Sequence, residues 1–187
     1  VAADTEQGAA TGQAGGASSR VLVLGYGNTL RRDDGVGAVV AERMAADARF
    51  AGVVVRAAYQ LLPEMALDFA EQDLVIFVDA DLRAAPGAIE VRWLDADPPR
   101  SDADARAEPG ASSHHVGGGE LVALAEQLTG HRPAAAAVGI GVVDLELGEG
   151  LSPTVEAAVP AAVEAVLALM TARPGRDADG PSGGAAR

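Results

Sequence analysis

The chain reads as a three-layer α/β/α sandwich around a mixed, mainly parallel sheet of about five strands. Three observations predict it. Short runs rich in Val, Leu and Ile alternate with stretches of helical periodicity along residues 20–172. Leu74-Val75-Ile76-Phe77-Val78 is continuously apolar, as in a central strand covered on both faces. Ile89, Val91 and Trp93 alternate with Glu90 and Arg92, the pattern of an antiparallel or edge strand with one wet face.

The elements follow in order. The first strand is residues 20–24, ending in Gly25-Tyr26-Gly27-Asn28. A helix over 35–49 places Val36, Val39, Val40 and Met44 on one face. The second strand is 53–57, and a less regular helix over 63–71 carries Met65, Leu67 and Phe69. The third strand is 74–78, and the fourth is 88–94 after the turn Ala84-Ala85-Pro86-Gly87. Residues 95–113 hold five acids and three prolines and read as a long acidic loop, a length that is usually functional or mobile. A helix over 118–129 turns Leu121, Leu124, Ala125 and Leu128 inward and stops at Gly130. The fifth strand is 135–142. The last helix opens with Ser152 as N-cap and Pro153 at its first position, and Pro160 is expected to kink it or delay its start. The small polar stretches 1–19 and 173–187 read as a disordered arm and tail around a single folded domain, 20–172.

The totals exclude several functions. A formal net charge of −13 over 187 residues, with no basic patch, argues against nucleic acid and anionic membrane as partners. There is no cysteine, hence no disulfide, thiolate metal site or cysteine nucleophile. No uninterrupted run of about 18 apolar residues predicts a membrane span, and residues 1–19 lack the apolar core of a secretory signal. The expected state is a cytoplasmic monomer.

Three positions carry candidate chemistry: Asp33-Asp34 after the first strand, Asp79 with Asp81 after the third, and His114-His115 before the later helix. In open α/β sheets such positions lie where the loops converge, beyond the carboxyl ends of the strands. Two carboxylates and an imidazole could ligate a metal or work as acid and base on a water. Each also has a plainer reading. Asp33 and Asp34 could be solvated acids at a helix start, Asp79 a loop cap, Asp81 a turn acid, and one of the two histidines spare. His131 reads as a surface residue. Gly25-Tyr26-Gly27 resembles the start of a dinucleotide fingerprint, but the third glycine is missing and two acids stand where phosphates would lie. No Walker motif, GxSxG elbow or HExxH is present.

Taken together, Leu24-Gly25-Tyr26-Gly27-Asn28-Thr29-Leu30, Asp33-Asp34-Gly35-Val36-Gly37, Val78-Asp79-Ala80 and Ser112-Ser113-His114-His115-Val116-Gly117 resemble the hydrogenase maturation endopeptidases. These proteases trim the large subunit of nickel–iron hydrogenases. The stretch 134–141 and Leu151-Ser152-Pro153-Thr154-Val155 resemble the family's last strand and helix, so the likeness spans nearly all of 20–172. The resemblance implies a phosphorylase/hydrolase-like sandwich and an aspartic-type endopeptidase that removes a C-terminal extension after nickel insertion. It implies Asp34 and Asp79 as catalytic residues, and Asp34, Asp79 and His114 as contacts to nickel that arrives with the precursor, with no permanently bound cofactor. Many relatives carry Glu where Asp34 stands, one methylene longer, on the order of 1.5 Å. The residues alone leave open an amidase or peptidase with its own ion, a nickel- or precursor-binding chaperone that does not cut, and a nucleotide-binding module.

Overall fold

The computed structural model describes residues 19–94 and 117–172. The expected arm and tail, the acidic loop and both His114 and His115 lie outside the described residues. Among these residues the sheet has five strands: β1 (Val21–Tyr26), β2 (Val54–Ala58), β3 (Leu74–Asp81), β4 (Ile89–Trp93) and β5 (Ala134–Gly141). Their order is β2-β1-β3-β5-β4; every pairing is parallel except β4 with β5. β3 is central and β4 an antiparallel edge, as their sequence patterns predicted.

Strand alternation divides the core in two. Val21 and Val23 of β1, with Ile76 and Val78 of β3, face α1 (Val36–Ala45) and α3 (Pro153–Thr171). Leu22 and Leu24, with Val75 and Phe77, face α2 (Gly118–Thr129) and a 3-10 segment, Pro63–Phe69. The result is three layers, with β3 buried on both sides. Phe69 meets Phe77 edge to face, ring centroids 6.0 Å apart.

Several local expectations change. The segment expected as a helix over 63–71 is 3-10. It buries Ala66 and Phe69, three residues apart, and leaves Leu67 exposed, the spacing a three-residue turn serves better than an α-helix. The helix expected over 35–49 is split into a 3-10 turn, Arg32–Gly35, then α1, then a second 3-10 turn, Ala48–Phe50. In α2, Leu128 is 57% exposed and Val122 is buried with Leu121 and Ala125. α3 starts at Pro153 and continues through Pro160, whose ring lies on the exposed face. By length and mean hydropathy (1.5) α3 could cross a bilayer, although Glu156 and Glu164 interrupt its apolar run. Its Val155, Val159, Ala162, Val163 and Val166 are instead buried in the core shared with α1 and the sheet.

Candidate active site

The strand order reverses direction between β1 and β3: the chain leaves β1 for β2 on one side and returns to β3 on the other. The crevice outside the carboxyl ends of such a pair is where open α/β sheets bind their ligands. Asp34 follows β1 and Asp79 lies near the carboxyl end of β3, with Gly25 and Val78 paired across the two strands. Close backbone packing brings the two ends together. A β-carbon on Gly37 would lie 2.2 Å from the Val78 carbonyl oxygen and 2.3 Å from that of Tyr26. Only glycine lets the first turn of α1 rest on both strand ends. Gly27, at φ +136°, leaves room for the Asp34 carbonyl, which a β-carbon would meet at 1.8 Å.

Asp34 and Asp79 are both half-buried. The Asn28 N–H donates to Asp34 Oδ2 at 3.3 Å, and the Ala80 N–H donates to Asp79 Oδ1 at 2.7 Å. Asn28, which sequence reasoning passed over, organises the turn. Its Oδ1 accepts the Leu30 N–H at 2.9 Å, an Asx turn, and its Nδ2 donates to the Tyr59 hydroxyl at 2.8 Å. The signal was an Asn directly after glycine at a strand end.

Asp33 is different from its neighbour. It is 0% exposed. Its Oδ1 accepts the Ser152 N–H at 2.6 Å; its Oδ2 accepts the N–H groups of Val143 at 3.1 Å and Asp144 at 2.9 Å, and the Ser152 hydroxyl at 2.9 Å. Burial pushes its carboxyl up, but the donors from Ser152, Asp144 and Val143 together outweigh burial and hold it below the ordinary carboxylate value. The plainer reading of solvated acids therefore fails for Asp33. Ser152 does stand at the N-cap position of α3, but its hydroxyl makes no cap bond because it serves Asp33.

Asp81 is a turn acid: its Oδ1 accepts from the N–H groups of Arg83 at 2.8 Å and Ala84 at 3.3 Å. His131 is half-buried rather than a free surface residue, its Nε2 donating to the Gln72 carbonyl at 2.7 Å. Among the described residues no three His, Asp or Glu side chains gather to hold a metal; the third expected member, His114, lies outside them. A cavity of about 400 Å³ lined by Met44, Asp47, Phe50 and Val55 among others sits at the far end of α1, away from Asp34 and Asp79.

No protein-family model matches the chain, and no curated protein matches it. Solved structures do. The hydrogenase maturating endopeptidase HybD of E. coli is 30% identical, with a TM-score of 0.65, over 81% of this chain and 91% of that one. The chain belongs to the hydrogenase maturation endopeptidases. The hydrogenase 2 maturation peptidase of a Thaumarchaeota archaeon is 28% identical, with a TM-score of 0.57, over 82% of this chain and 99% of that one. The [NiFe] hydrogenase maturation protease HycI of Thermococcus kodakarensis is 20% identical, with a TM-score of 0.62, over 83% of this chain and 95% of that one, and shares the fold. This endopeptidase is thus a hydrolase of hydrogenase maturation on the family's α/β fold.

Proposed function

We propose that this endopeptidase removes the C-terminal extension of a nickel–iron hydrogenase large-subunit precursor once nickel has been inserted. It acts as an aspartic-type enzyme in the cytoplasm, as a monomer. The observation that carries the reading is the placement of Asp34 and Asp79 at adjoining carboxyl ends of β1 and β3, at the reversal in strand order of a chain from this family.

Neither a thiol nor a serine elbow is available as nucleophile. In this reading a water adds to the scissile carbonyl carbon while the C–N bond breaks and the leaving amine gains a proton. Nickel carried by the precursor is part of the substrate, and supplies the Lewis acidity that polarises a carbonyl or readies a water. Asp34 and Asp79 are its oxygen donors from this chain, and His114 its nitrogen donor. One carboxylate passes the proton from the attacking water to the leaving amine. Because part of the binding energy runs through the metal, precursor without nickel binds poorly and cleavage waits for insertion.

The test is mass spectrometry of nickel-loaded and metal-free precursor after incubation with the enzyme. Loss of the extension from the loaded form alone supports the reading. Equal rates on both forms remove the nickel dependence. An intact loaded precursor that co-elutes with the protein would point to a binding chaperone instead.

A further inference from the structure

We propose that Asp33 is a positioning residue, whose buried carboxylate locks the loop after β5 onto the turn that carries Asp34. The proposal rests on the assignment of Asp34 to the reaction.

The loop, residues 142–152, crosses the carboxyl edge of the sheet and returns to start α3. Backbone bonds hold it along the turn after β1. The Arg32 N–H donates to the Gly148 carbonyl at 3.0 Å, the Gly148 N–H to the Leu30 carbonyl at 2.9 Å, and the Asp33 N–H to the Asp144 carbonyl at 3.1 Å. It also reaches the end of β3, where the Val142 N–H donates to the Asp81 carbonyl at 3.4 Å. Asp33 gathers both ends of the loop on one carboxylate: Val143 and Asp144 from its start, Ser152 from its finish.

This arrangement fixes the peptide that leads into Asp34. Arg32 stands at φ +47°, a left-handed conformation that a residue with a β-carbon keeps only when its surroundings impose it. Its Nε lies 3.5 Å from Asp144 Oδ2, so the ion pair adds to the same junction. On the other side of Asp34, the Gly27 backbone packs against its carbonyl. Asp34 is therefore held from Asp33 before it and from Gly27 across the turn, while its own carboxylate points to the Asn28 N–H. A catalytic group displaced by about 1 Å can lose on the order of 100-fold in rate with its chemistry intact.

Asparagine at 33 cannot reproduce the lock. Both carboxylate oxygens accept backbone N–H groups, so either orientation of the amide turns an NH2 toward a donor. Removing the Ser152 hydroxyl takes away one donor and leaves the backbone three.

The experiment measures kcat and KM on nickel-loaded precursor for wild type, Asp33→Asn, Ser152→Ala, Ser152→Thr and Asp34→Asn. Each is assayed well below its own melting temperature, with folding checked by circular dichroism. Positioning predicts that kcat falls about 100-fold in Asp33→Asn and several-fold in Ser152→Ala, with KM within about twofold, and that Ser152→Thr restores kcat because it keeps the hydroxyl. Wild-type kcat in folded Asp33→Asn and Ser152→Ala, with only a lower melting temperature, would overturn it. Should Asp33→Asn fail to fold, Ser152→Ala and Ser152→Thr decide alone. Activity in Asp34→Asn would instead sink the assignment on which the proposal stands, so the two failures are distinct.

Discussion

A carboxylate that accepts three backbone N–H groups and a hydroxyl, as Asp33 does, is stabilised in its charged form and is costly to disturb. Removing the Ser152 hydroxyl should cost about 2 kcal/mol of stability, read as a shift in the urea midpoint. Asp33 also predicts a pH dependence. Its folded-state pKa is depressed below the ordinary value of 3.8, so its contribution is present above that value and lost as pH falls through the folded one. Urea midpoints should therefore hold down to about pH 4 and drop as the pH falls further through the folded value, and drop less in Asp33→Asn, which has no carboxyl to protonate. An equal drop in both would place the acid sensitivity elsewhere. Only the family resemblance singled out Asp34; the residues themselves did not separate the two adjacent acids, because the donors that claim Asp33 come from residues 143–152, more than a hundred positions away. Asp81 was legible for the opposite reason: its donors are two and three residues on.

The first turn of α1 is the element that sets the site. Gly37 brings it within contact of the carbonyls of Tyr26 and Val78, which are fixed in the sheet and cannot yield. Gly37→Ala should therefore cost about 3 kcal/mol and reduce cleavage by separating the ends of β1 and β3. A loss under about 0.5 kcal/mol in chemical denaturation would mean that the contact relaxes easily. Strands were more legible than helix details. Continuous apolar β3 and alternating β4 announced their places because burial of one face or two is written directly into residue order. The segment Pro63–Phe69 was not: its seven residues of mixed polarity suit either helix type, and packing of Ala66 and Phe69 beneath α2 chose the tighter one. Leu128 looked core-facing by spacing, but the buried stripe of α2 runs through Leu121, Val122 and Ala125 and leaves it exposed.

At the scale of the whole molecule, a mixed, mainly parallel sheet gathers the loops after β1, β3 and β5 at one edge, and Asp33, Asp34 and Asp79 lie there. The fold class was readable in full because alternation of strands and helices leaves few architectures. Of the candidate site, the positions of Asp34 and Asp79 beside strand ends were legible, whereas the latch on Asp33 required the three-dimensional return of the last loop. If the precursor supplies the metal, purified enzyme incubated with metal-free precursor should leave its extension in place, and adding nickel to the enzyme without insertion into the precursor should not start cleavage. Intact-mass measurement follows both.

The most direct test of the central claim is the cleavage rate of nickel-loaded precursor with wild type, Asp34→Asn and Asp79→Asn, each shown to be folded. The two carboxylates at the ends of β1 and β3 are predicted to be indispensable, so each variant should lower the rate at least about 1,000-fold. Near-wild-type cleavage by both folded variants would contradict the account.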